Sequence, residues 1–219
     1  MTPYEFHWPV LWQYRHLLLE GLVVTLQLSA LGFVLSVVLG VVIGVARGSR
    51  RPALRTLATW YVEFFRNIPL LVQTFYWYFA VGLGSFPASL VGLVLYSSVY
   101  IGEVIRSGVQ SIPRTQVEAA YASGLSSIRV IRHIVVPQAV MIVIPPLGTE
   151  LINVVKNSAI AMTVGVRELT FQTQEIDAAT FRGFEAATVA TGLYLGMALT
   201  VATVMGVVAR IVRFESKVL

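Results

Sequence analysis

The chain has 219 residues, 56% of them hydrophobic and 12% charged, with a mean hydropathy of +0.75. That balance excludes a soluble globular domain and predicts an integral membrane protein, with room for about four to six helices of about 20 residues each. Cysteine is absent and the three histidines, His7, His16 and His133, are scattered, so disulfides and metal sites are not expected.

In chain order, residues 1–20 lack a basic start followed by a short apolar core, so they do not read as a signal peptide. Tyr4, Trp8, Trp12 and Tyr14 instead alternate with polar residues, as in an interfacial aromatic belt. Five spans are predicted near residues 21–46, 54–81, 88–106, 134–162 and 186–209, which makes residues 1–219 a single all-α transmembrane domain. The first carries no charge over 26 residues. Gly40 with Gly44, and Gly192 with Gly196, have the four-residue spacing that lets helices approach closely, although glycine is frequent in membrane helices generally. In span two, Pro69 cannot donate to the Phe65 carbonyl, so the helix should bend there. Trp60, Tyr61, Tyr76, Trp77 and Tyr78 read as packing and belt residues. Glu103 and Arg106, one turn apart in span three, predict a local ion pair. In span four, Pro145-Pro146 predicts a break that frees the carbonyls of Met141 and Ile142.

Basic residues set the orientation. Arg47, Arg50, Arg51 and Arg55 follow span one, Arg114, Arg129 and Arg132 separate spans three and four, and Arg210, Arg213 and Lys217 follow span five. The loop after span two has no charge, and the loop after span four mixes Arg167 and Arg182 with Glu168, Glu175, Asp177 and Glu185. The asymmetry places the N-terminus outside and the C-terminus in the cytoplasm. The net charge of +5 is therefore an orientation signal, and no nucleic acid partner is expected.

Residues 114–130 form a polar interruption on the cytoplasmic side. Thr115 and Glu118 have capping-box spacing, Ala119, Ala120, Ala122 and Ser123 give a small-sided surface, Gly124 suits a left-handed stop, and Ser126 can cap a second helix. Glu118-Ala119-Ala120, three residues, Gly124, nine residues, Ile134, one residue, Val136-Pro137 resembles the loop signature of ABC importer permeases. The departure is Val136 where that family has leucine. The stretches "YVEFFRNIPLLVQTFYWYF" and "KNSAIAMTVGVRELT" are most similar to the polar amino acid branch, and within it to glutamate/aspartate importers.

The resemblance implies a multi-pass permease of the bacterial cytoplasmic (inner) membrane, embedded in lipid, with a coupling helix between spans three and four. Glu118, Ala119, Ala120 and Gly124 would dock on a separate ATPase. Two ATP-binding subunits would carry ATP and Mg, a second permease chain, identical or paralogous, would complete the pore, and an external binding protein would deliver the amino acid. No Gly-x-x-x-x-Gly-Lys-Ser/Thr loop occurs in this chain, so no cofactor and no catalytic activity are expected of it. Glutamine, histidine or arginine importers share much of this text. An ion-gradient-driven transporter could also use broken helices and mid-span carboxylates, but it leaves the loop match unexplained.

Charges at membrane depth cost about 2.5–3.5 kcal/mol each on insertion scales, so Arg66 with Asn67, and Glu150 with Asn153 and Asn157 on one helix face, call for a reason. Two readings stand. Arg66 and Glu150 hold the substrate carboxylate and ammonium, or Arg66 pairs structurally with Glu63 or Glu150. Lys156 either attracts an acidic side chain or snorkels toward the outer face.

Overall fold

In hydrocarbon an apolar segment must satisfy its backbone within itself, and a helix does so. A computed structural model describes residues 4–215, with side chains as far as residue 212, and no strand occurs among them. Helix α1 (Pro9–Gln13) leads into α2 (Arg15–Gly48), followed by α3 (Pro52–Arg66) and α4 (Leu70–Phe75), which continues as a π-helical turn over Tyr76–Ala80. Next come α5 (Ser85–Gln110), α6 (Arg114–Ala122) and α7 (Ser127–Val130). A π-helical turn, Ile131–Val135, joins α7 to α8 (Val136–Asn157), and a 3-10 segment, Ser158–Val164, extends α8. Helices α9 (Leu169–Thr180) and α10 (Gly183–Glu215) complete the described chain. Of the expected basic tail, the Arg213 side chain and Lys217 lie outside the described residues.

Among the described residues four helices are long and apolar enough to cross a membrane: Arg15–Gly48, Ser85–Gln110, Ser127–Val164 and Gly183–Val212. The predicted second span, 54–81, is not one helix. It is divided after Arg66, and α3 alone is about 22 Å long against a hydrocarbon core of about 30 Å. The cause is the predicted one, since Pro69 has no N–H to continue the ladder. Two amides cover carbonyls around the interruption: Asn67 Nδ2 donates to Glu63 O at 2.6 Å, and Gln73 Nε2 donates to Ile68 O at 3.0 Å.

Pro145 and Pro146, by contrast, lie inside an unbroken α8, so the expected break there is corrected. Prolines are tolerated within membrane helices where neighbouring groups satisfy the carbonyls they release.

The chain divides into two units. The first is built on Met1–Val34, Ile68–Val94 and Asn153–Thr200. Its core joins Leu11, Leu18, Leu169, Ile176, Ala186 and Ala190, with Tyr14 and Leu17 packed against them. The segment before α1 is pinned to the first turn of α10: Tyr4 OH and His7 N both donate to the carboxylate of the fully buried Glu185. Arg182 approaches Glu185 to 3.5 Å and donates to Glu5 O at 2.8 Å. Tyr14 packs against this core and Tyr4 is bonded to Glu185, while Tyr4, Trp8 and Trp12 are all exposed.

The second unit is built on Leu35–Asn67, Leu95–Ile152 and Val201–Leu219. Ile43, Val62 and Val99 form its core with Leu39, Tyr61, Phe65 and Tyr100. A Cβ on Gly40 would come 2.6 Å from Ile101 Cγ2, and one on Gly44 2.6 Å from Gly102 O, so this glycine pair does bring α2 and α5 together. Gly192 and Gly196 face open space and close no contact among the described residues.

Candidate functional site

The polar interruption folds as a short helix with a built stop. Helix α6 begins at Arg114, two residues earlier than the capping-box reading requires. Pro113 therefore occupies the N-cap position, and no side chain caps the helix. The expected Thr115–Glu118 box does not form because Thr115 already lies inside the first turn. At the other end Gly124 takes φ +81°, the left-handed region that glycine enters without penalty. Its N–H donates to Tyr121 O at 2.9 Å and the Leu125 N–H to Ala120 O at 3.2 Å, the two bonds of a Schellman stop. Ser126 is extended and precedes α7 as expected, but its side chain makes no capping bond.

Glu118, Ala119 and Gly124 are exposed on this turn, whereas Ala120 is 6% exposed and faces inward. Ala120 therefore supports the turn, and the accessible surface comprises Glu118, Ala119, Ala122, Ser123 and Gly124. A groove of about 860 Å³ runs beside it, lined by Arg50, Gln110, Arg114, Glu118 and Tyr121 among others. One side-chain bond ties the turn to the next long helix: Gln138 Nε2 on α8 donates to Gln116 Oε1 on α6 at 2.8 Å.

The polar groups of the spans fall in both units. In the second unit, Arg66 Nη2 donates to both carboxylate oxygens of Glu63, at 3.1 and 3.0 Å, with both side chains about half exposed. Asn67 is exposed beside them, and Glu150 lies within electrostatic reach of Tyr96, which accepts a hydrogen bond from Tyr100. Glu103 accepts from Arg106, as predicted, and also from Arg47 of α2, a partner that the spacing within one helix could not disclose. In the first unit, Asn153 is half-buried and Lys156 exposed, and Asn157 borders a small cavity with Thr74, Ser89 and Ser158.

A further polar centre was hidden among the charges of the loop before α9. Glu168 is fully buried and caps α9, accepting from Thr170 N at 2.9 Å and Phe171 N at 2.8 Å. Tyr194 OH on α10 donates to the same carboxylate at 2.7 Å, and Leu169 N donates to Thr25 Oγ1 on α2 at 3.1 Å. Three helices meet at this carboxylate and its neighbour. Burial pushes the Glu168 carboxyl above its ordinary value, against the two amides and the tyrosine hydroxyl, which pull it down. The signal that could have found it is an acidic residue just before an amphipathic run, a plain N-cap pattern.

Residues 36–214 match the family model described as binding-protein-dependent transport system inner membrane component. The probable glutamine ABC transporter permease protein GlnM of Bacillus subtilis (strain 168) is 44% identical over 137 residues, 60% of this chain and 63% of that relative. The glutamate/aspartate import permease protein GltJ of Escherichia coli (strain K12) is 31% identical over 212 residues, 89% of this chain and 86% of that one. Among solved structures, an amino acid ABC transporter described with histidines superposes with a TM-score of 0.89 at 31% identity, covering 94% of this chain and 99% of that chain.

Proposed function

This chain belongs to the binding-protein-dependent transport system inner membrane components, and from that membership we propose that it imports acidic amino acids, glutamate and aspartate, across a bacterial inner membrane. It is a multi-pass permease of an ABC amino acid importer and has no catalytic activity of its own; the ATPase is a separate subunit. Glutamine is the second reading, supported by the 44% identity to GlnM.

In the proposed assembly the divided segment α3–α4 serves as a fifth crossing beside the four long helices, with the N-terminus outside and α6 in the cytoplasm. The arginines at 47, 50, 51 and 55 support that orientation. A second permease chain, identical or related, completes the pore around a two-fold axis. Two ATPases, which bind ATP and Mg, take up the two α6 turns, and an external binding protein supplies substrate. When the ATPases close, α6 moves with them, and the Gln116–Gln138 bond carries the motion into α8 as a rigid-body displacement. Glu118, Ala119 and Gly124 form the docking surface, with Ala120 beneath it. Arg66, Asn67 and Glu150, with Asn153, Lys156 and Asn157, line the route, Arg66 exchanging Glu63 for the substrate carboxylate.

The exposed, Schellman-stopped turn of α6 carries this reading, because it leaves Glu118, Ala119, Ala122, Ser123 and Gly124 of a short polar helix accessible beside apolar spans. The test is uptake of labelled glutamate, aspartate and glutamine into proteoliposomes holding the complex with its binding protein. Uptake should require ATP on the ATPase side and survive an ionophore that collapses ion gradients. Uptake driven by a gradient without ATP would overturn it.

A further inference from the structure

Helix α2 presents Glu20, Val23, Val24 and Gln27 on one face, and the approach to α9 brings Arg167, and α9 itself Gln172, to the same place. Together they border a cavity of about 540 Å³ in the first unit, within the range of about 300–1,000 Å³ typical of small-molecule sites. Three features set this cavity apart. Glu20 and Arg167 carry opposite charges at one opening, yet neither has an ion-pair or hydrogen-bond partner among the described residues. Gln172 is 1% exposed, and its buried Oε1 has no hydrogen-bond partner. Gln27 stands exposed on α2, on the same face as Val23 and Val24.

Buried amide oxygens are almost always satisfied by a protein group, a water or a ligand, and Glu20 and Arg167 are both exposed and free to take a ligand of opposite charge. The chemistry left open is specific. A carboxylate accepts from an ammonium, a guanidinium donates in a fork to a carboxylate, and carboxamides take either end of a polar side chain. We propose that this cavity is a second binding site for a free α-amino acid zwitterion, separate from the groups around Arg66 and Glu150. Glu20 takes the ammonium, Arg167 the α-carboxylate, and Gln172 with Gln27 the polar side chain. Val23 and Val24 pack against the aliphatic part. The site rests on the amino acid import reading and adds to it a second set of residues that hold substrate.

The test uses the complete complex in nanodiscs without its binding protein, titrated with labelled L-glutamine and L-glutamate. Two further probes are N-acetyl-L-glutamine, which lacks the ammonium, and the α-amide of L-glutamine, which lacks the carboxylate. Glu20→Gln should weaken binding of both amino acids at least ten-fold and abolish discrimination against the N-acetyl probe. Arg167→Gln should do the same for discrimination against the α-amide. Gln172→Leu should weaken binding and leave both discriminations in place. If the variants bind as wild type while ATP-driven uptake proceeds, the second site is wrong and the import reading stands. Affinity lost equally for every probe also overturns it, because that is the mark of a structural role. A wild-type complex that neither binds nor transports any amino acid removes the import reading, and this site with it.

Discussion

Gly124 gives the most direct handle on how the α6 turn works. Its φ of +81° lies where an L side chain is strained by about 1–2 kcal/mol, and asparagine is the residue that tolerates the region best after glycine. A Cβ there meets nothing within 4 Å, so steric crowding adds nothing and the whole penalty falls on the backbone. That penalty loosens the bonds from Gly124 to Tyr121 and from Leu125 to Ala120, which hold the end of α6. If the ATPase binds only the closed turn, Gly124→Ala should weaken its association by the same free energy, about 5–30-fold. Gly124→Asn should weaken it less. The assay is titration of the purified ATPase subunit onto the permease in nanodiscs, with uptake measured on the same samples. Equal affinity for the alanine and glycine forms, or a weaker asparagine form than alanine, would refute the reasoning.

Three further outcomes follow from the geometry. Gly40→Ala should lower stability in detergent by about 1–3 kcal/mol, because its Cβ overlaps Ile101, whereas Gly196→Ala should change the thermal midpoint little; similar shifts for the two would contradict the seam. Because burial raises Glu168 in the folded state, its contribution is full below the unfolded glutamate value of about 4.3 and is lost as pH rises through the folded value. The difference in melting midpoint between wild type and Glu168→Gln should therefore move against wild type as pH climbs above about 4.3, and a difference that moves in its favour would reverse the assignment. Arg66→Met should abolish uptake in an assembled complex while Glu63→Gln retains it; equal losses would make the Glu63–Arg66 pair purely structural.

How much of this was readable from the chain depends on how far each cause reaches. The interruption at Pro69 was legible because a missing N–H acts on its own turn, and the stop at Gly124 because left-handed backbone selects glycine locally. The same argument failed at Pro145-Pro146, where α8 continues; tolerance of a missing donor depends on neighbouring elements, which no local pattern records. The capping box failed by two residues, since α6 starts at Arg114 with Pro113 as its N-cap and leaves Thr115 too far inside to cap. Glu168 and Glu185 read as loop charges because their partners are distant: Tyr194 for the first, and Tyr4 and His7, more than 170 residues away, for the second. Arg47 was hidden from Glu103 for the same reason. Of the proposed docking set, the sequence disclosed the residues but not their facing, and burial separates Ala120 from Glu118, Ala119 and Gly124.

The chain contains no cysteine, so a single Ser123→Cys substitution on the exposed side of the α6 turn carries a photo-crosslinker at one place only. In proteoliposomes that import amino acid with ATP, illumination should join this position to the ATPase subunit. Active transport without any such adduct would contradict the assignment of α6 as the site where the ATPase engages the permease.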